Sequence, residues 1–235
     1  MKKITFESKN GKELVGVLEG ESNETCFLLI HGFLSDKDEN TLFPILAEKF
    51  DNRGFGSFRF DFAGCGESED TPLSFTQMRA DLQASLDLCL SLYEEVILLG
   101  HSLGGSLAAE YEGKKKILLA PLLRGSQAEA QRLEDALTES REIQNAFGKK
   151  FTVSNQFTSD FGEVNAYKHL ENSKEETNIV NVKRDKILPK KNFEGIKNIE
   201  NDKVNFSSIK SDHFFTTNRK SLLKLISSMP LMNHQ

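Results

Sequence analysis

The 235-residue chain has no tryptophan, three cysteines, no long apolar run and no surplus of positive charge. Nowhere do about 18 apolar residues follow one another, the least a membrane helix needs, so no span is expected. The opening MKKITFESKNGKELVG carries two lysines but no apolar stretch behind them, which argues against a secretory leader. Cys26, Cys65 and Cys89 are odd in number, widely spaced and without a CxxC pair. They suit reduced thiols in a cytoplasmic protein, and they support neither a disulfide framework nor metal ligation. Lysine and arginine number 30 against 35 acids, a formal charge of −5, and the basic residues are scattered among glutamates. Lys114-Lys115-Lys116 reads as a solvated edge, so nucleic acid is not expected as a partner. The missing tryptophan, beside abundant Lys, Glu, Asn and Phe, reflects an AT-rich genome and carries no chemical meaning.

What remains is the composition of a globular protein in water, with a mean hydropathy of −0.42. Its length fits one domain, with or without an inserted cap. Ile4 and Phe6, then Asn10-Gly11, then Leu14, Val15 and Val17 alternate as a hairpin turning at Asn-Gly. After that the period changes. CFLLI (26–30), FGSFRFDF (55–62), VILLG (96–100) and ILLAP (117–121) are short, largely apolar runs of the kind buried on both faces. Helical patterns at 41–54, 74–95 and from Leu103 to Glu112 separate them. Strand–helix alternation requires crossovers and therefore a mostly parallel sheet with helices on both faces. Residues 122–177 break the rhythm with a charged helical stretch, about Gln127 to Phe147, and a polar segment, and read as a small inserted cap. Residues 1–121 and 178–235 form the core, where the rhythm resumes with 177–185, a short helix near 190–198, a strand at 203–211 and a helix near 216–229. The expected class is α/β: a mostly parallel central sheet, an N-terminal antiparallel hairpin and the cap.

The stretch LLGHSLGG (98–105) sets Ser102 between Gly100 and Gly104. A serine on a sharp strand-to-helix turn forces the residues two before and two after it against other chain, and both must lack bulk. By composition alone G-x-S-x-G arises in about one chain in ten of this length, so its weight comes from the strand before and helix after it. A serine nucleophile needs a base and an orienting acid on later loops. His213 follows the strand-like KVNFSSIK and Asp185 closes IVNVKRD, while Asp160, Glu200 and Asp202 stand as other candidates for the acid. Asp212, beside His213, reads as structural, since neighbours in extended chain point apart. His234 sits in the terminal tail and His169 in the cap. His31-Gly32-Phe33 ends the first buried strand, where glycine lets the next N–H turn toward an oxyanion.

HGF, DFAGCGES, GHSLGG, DKILP and DHFF stand in one order over 31–215 and together resemble the α/β-hydrolase superfamily. HGF with RFDFAGCGES is similar to small bacterial esterases acting on short-acyl and hydroxycinnamoyl esters, and to the serine-aminopeptidase-like branch. The resemblance implies Ser102 as nucleophile, His213 as general base and then acid, Asp185 as the group holding the imidazole tautomer, and the Phe33 and Leu103 amides as oxyanion donors. His31, His101 and Phe214 are candidates for substrate contact, His31 and His101 also for local hydrogen bonding, and Cys65 reads as a small buried filler. The chain departs from the family in Asn181-Val182, where His-Gly is usual, and in its charged cap helix.

These residues imply hydrolysis of a carboxylic ester through an acyl-enzyme, with a small-molecule acyl ester as partner and no cofactor or metal. A thioesterase or small peptidase would share the chemistry. A non-catalytic protein binding a hydrophobic ligand on the same fold is the reading of another class. The charged cap also leaves a homodimer open. With an ordinary histidine as base, activity is expected to rise between about pH 6 and 8.

Overall fold

CFLLI is apolar throughout because the strand it forms is covered on both sides. In the computed structural model, which describes residues 1–20, 24–188 and 190–232, β3 (Thr25–Ile30) sends Cys26, Leu28 and Ile30 into one core layer and Phe27 and Leu29 into the other. The Phe27 ring stacks on Phe50 of α1 (Leu42–Asp51), with centroids 3.9 Å apart. Each such fully buried phenylalanine contributes about 1.5–3 kcal/mol.

β1 (Lys2–Glu7) and β2 (Glu13–Glu19) form the hairpin across Asn10-Gly11. β4 (Gly56–Phe60), β5 (Glu95–His101) and β6 (Lys116–Leu119) continue the sheet, and β9 (Thr177–Val182) and β10 (Val204–Ile209) close it. The order is β1-β2-β4-β3-β5-β6-β9-β10, antiparallel in the two pairs β2 makes and parallel in the rest. α2 (Phe75–Leu92) and α3 (Leu103–Ala109) bury against one face, and α1 and α7 (Arg219–Ser227) against the other. Ser74 caps α2 by accepting the Gln77 N–H at 3.1 Å, which fixes where that helix starts. The turn after β4 is set by Asp61, fully buried, which accepts the Lys37 N–H at 2.7 Å and the Lys37 ammonium at 3.0 Å. Burial works to lower the Lys37 pKa, but its bonds to Glu67 and Asp61 outweigh it and hold the ammonium above its ordinary value.

Between β6 and β9 lie α4 (Gln127–Ala136), β7 (Glu142–Gln144), β8 (Lys150–Thr152), α5 (Phe157–Glu163) and α6 (Tyr167–Glu171). The expected helix over 127–147 is therefore corrected: it stops at Ala136, and an antiparallel hairpin follows, pairing Ile143 with Phe151. The reversal is made by Asn145, whose side-chain oxygen accepts the N–H groups of Phe147 and Lys149, both at 3.0 Å. The helix near 190–198 is a 3₁₀ helix, Lys190–Asn198. His234 and Pro189 of DKILP lie outside the described residues.

Candidate active site

The crowding that glycine relieves around Ser102 is measurable. A Cβ on Gly100 would lie 2.3 Å from the Gly104 carbonyl oxygen, and one on Gly104 would lie 2.2 Å from that of Ile30. Ser102 itself has φ 52° and ψ −118°, a conformation that costs a non-glycine residue about 1–3 kcal/mol. It is held there by its N–H on Leu119 O at 3.0 Å and by the Leu122 N–H on its own carbonyl at 3.1 Å. Two sheet strands and one loop thus fix the turn that raises the serine at the carboxyl end of β5.

β9 and β10 are parallel neighbours, so the loops after them emerge on the same edge. They bring Asp185 and His213 together: His213 Nδ1 lies 2.8 Å from Asp185 Oδ2. The other oxygen, Oδ1, accepts the N–H groups of Ile187 and Leu188 at 2.8 and 2.9 Å. Burial works to raise the Asp185 pKa, yet the His213 hydrogen bond and charge and the two amides outweigh it and keep the carboxylate below its ordinary value. An ionised Asp185 puts the proton on Nδ1 and leaves the Nε2 lone pair available. Burial pushes the His213 pKa down, more than Asp185 raises it, and His101 adds to the lowering. Of the other acids, Glu200 and Asp202 are exposed and Asp160 lies on α5 beside a separate polar recess. Asp212 accepts the N–H groups of Thr216 and Thr217 at 2.8 and 3.1 Å and shapes its own loop.

Ser102, His213, Phe33, Leu103 and Phe214 all line one cavity of about 900 Å³. Among the described residues the Ser102 hydroxyl makes no hydrogen bond, to His213 or otherwise, and the Phe33 and Leu103 amides have no acceptor. His31 is corrected as a substrate contact: it is fully buried and off the cavity wall. Its Nε2 accepts the Phe62 N–H at 3.2 Å, so Nδ1 carries the proton and donates to Gly32 O at 2.8 Å. The carbonyl and N–H of a trans peptide point oppositely, so this bond turns the Phe33 N–H away from His31. His101 lines the cavity edge but is fully buried, with Nε2 donating to the His213 carbonyl at 2.9 Å. Cys65 is buried, and burial pushes its thiol pKa up, which makes it an inert filler.

The rest of the wall is apolar in the main, with Leu122, Leu133, Phe161 and Leu188 inside and Phe147 and Ile187 at the mouth, 75% and 61% exposed. Leu133, Phe147 and Phe161 come from the segment inserted between β6 and β9. One buried residue at the site carried no signal in the sequence. Glu39 is one of several charged residues in SDKDEN, and only its placement by the turn before α1 sets it apart from Asp36 and Asp38.

The sequence pattern described as the alpha/beta hydrolase family matches residues 27–170. No functionally curated protein matches the sequence. Among solved structures, an esterase from Exiguobacterium antarcticum superposes with TM-score 0.78 at 17% identity, covering 97% of this chain and 98% of its own. Est1E from Butyrivibrio proteoclasticus, solved with ferulic acid bound, gives 0.76 at 17% identity over 97% and 98%. The alpha/beta hydrolase GrgF from Penicillium sp. sh18 gives 0.76 at 18% identity over 96% of each chain. At such identities the likeness is one of fold.

Proposed function

The chain belongs to the alpha/beta hydrolase family, and from that premise we propose that it is a serine hydrolase cleaving carboxylic esters of apolar acyl groups through an acyl-enzyme. One observation carries the reading. A strained, cavity-facing Ser102 shares its cavity with a His213 whose Nδ1 is bonded to a partly buried carboxylate, so that Nε2 is left as a base.

In the proposed cycle Ser102 Oγ attacks the ester carbonyl as its proton passes to His213 Nε2. The C–O π electrons move to the carbonyl oxygen, which accepts the Phe33 and Leu103 N–H groups. Collapse expels the alkoxide, which takes the proton from His213, and water repeats the sequence on the acyl-enzyme. The Ser102–His213 hydrogen bond closes as substrate fills the cavity, since such bonds are often long before substrate binds. The apolar wall favours an alkyl or aryl acyl group, and residues 122–177 act as the cap that bounds it.

A panel of p-nitrophenyl esters, hydroxycinnamoyl esters, acyl-thioesters and aminoacyl anilides tests this reading. Ester turnover with kcat/KM at least about tenfold above thioester and anilide is expected. Preferred turnover of thioesters or anilides would overturn the ester assignment, and no turnover of any class would overturn the enzymatic one.

A further inference from the structure

The proposed cycle leaves unused a pair of ionisable side chains behind it. Glu39 is 1% exposed and His101 fully buried, and Glu39 Oε1 lies 3.2 Å from His101 Nδ1, off the line of a good hydrogen bond. Glu39 Oε2 accepts the Gly32 N–H at 2.5 Å. On the other side, His101 Nε2 donates to the main-chain carbonyl of His213 at 2.9 Å. One two-residue bridge therefore ends on the backbone just before the Phe33 amide and on the backbone of His213, and His101 is itself the neighbour of Ser102.

The backbone is distorted to put Glu39 there. Glu39, Asn40 and Thr41 have φ of 40°, 52° and 66°, three successive non-glycine residues in the left-handed region, at about 1–2 kcal/mol each. Arg219 of α7 holds that turn from outside, donating to Thr41 Oγ1 at 3.0 Å and Asn40 O at 3.3 Å. A carboxylate turned from water into the core costs several kcal/mol more unless it is paired. Burial disfavours charge on both partners, but the opposite charge outweighs it, raising His101 and lowering Glu39. Strain and desolvation together are spent on one contact, and that contact joins the two parts of the site that must be in register.

We propose that Glu39 and His101 are positioning residues that set the Phe33 amide and the His213 ring relative to Ser102. The inference rests on the serine-hydrolase reading of the site. Interactions that place reacting groups act on turnover more than on ground-state binding, so their loss belongs in kcat.

The test uses Glu39→Ala, Glu39→Gln and His101→Phe in the full chain, with a p-nitrophenyl ester and far-UV circular dichroism as a folding check. Glu39→Ala is expected to lower kcat about 30-fold or more with KM within about threefold. Glu39→Gln keeps an oxygen for the Gly32 N–H and offers an amide to a neutral His101 Nδ1, and is expected to recover kcat to within about fivefold of wild type. His101→Phe, which frees only the His213 end, should lose about tenfold in kcat. A folded Glu39→Ala protein with kcat within about threefold of wild type would overturn the inference, as would a Glu39→Gln protein no better than the alanine variant. Should Glu39→Ala not fold, His101→Phe decides by the same threshold. Ser102→Ala run alongside separates the two claims: activity that survives it sinks the hydrolase reading, whereas activity lost with Ser102 but indifferent to Glu39 and His101 sinks only the positioning role.

Discussion

Replacing Asp185 by Asn exchanges one carboxylate oxygen for an NH₂ group, and the contacts of the two oxygens decide which one. Oδ1 accepts two backbone N–H groups, from Ile187 and Leu188, and only an oxygen can do so. The new amide must therefore place its oxygen there and its NH₂ against His213 Nδ1. A donor facing Nδ1 requires the opposite tautomer, with the proton on Nε2, so the base that should receive the Ser102 proton is already protonated. The loop stays in place, since both bonds to the backbone survive. Where a triad's geometry is kept and only its tautomer is wrong, kcat falls about 10⁴-fold, or about 5.5 kcal/mol in the barrier. Initial rates on a p-nitrophenyl ester measure the fall, and thermal melting checks the fold. A folded Asp185→Asn protein within about tenfold of wild-type kcat would refute the assignment of Asp185 and of the tautomer.

With His213 as the proposed base, the pH profile of kcat/KM should follow the neutral form of its ring. Burial lowers its pKa, so protonation sets in only at lower pH, and the acid limb should have its midpoint below about pH 6.5. An inflection at or above the ordinary histidine value would contradict the buried environment of the ring. Gly104→Ala drives a Cβ to 2.2 Å from a backbone carbonyl that no side-chain movement can relieve. It should lower the unfolding free energy in urea by about 3 kcal/mol or more, and an unchanged midpoint would refute the packing of the elbow. Cys26, Cys65 and Cys89 are all buried, so the native protein should resist iodoacetamide and the unfolded chain should take three labels. Rapid labelling of the native protein would show the thiols to be accessible.

The sheet was legible because burial on both faces writes itself as short, largely apolar runs, and because Asn-Gly and Gly-x-Ser-x-Gly demand particular backbone geometry. The central strands β3, β4, β5 and β6 fall on such runs, whereas the edge strands β1 and β10 are more polar and largely exposed. The insertion was less legible. Its 127–147 stretch is charged and helix-prone to the eye, yet the helix ends at Ala136 where Leu137 turns extended, and the hairpin beyond it rests on the Asn145 side chain's capture of two amides and on pairs such as Ile143–Phe151, contacts that no periodicity records. At the candidate site, Asp185 and His213 stand where chain order suggests. Glu39 could not have been found, because its meaning lies in three left-handed residues that turn it inward, and Asp36 and Asp38 beside it have the same chemistry. His31 and His101 lie at the expected place in the fold, but both ring nitrogens of His31 bond main-chain groups and those of His101 face the His213 carbonyl and the Glu39 carboxylate, which sequence does not show.

The central claim is that Ser102 is an activated nucleophile, and covalent labelling tests it most directly. Wild type and Ser102→Ala are treated with an alkyl fluorophosphonate and weighed intact by mass spectrometry. A single adduct on wild type, absent from the alanine variant, is the predicted result. No adduct on folded wild-type protein, or an equal adduct on Ser102→Ala, would contradict the account.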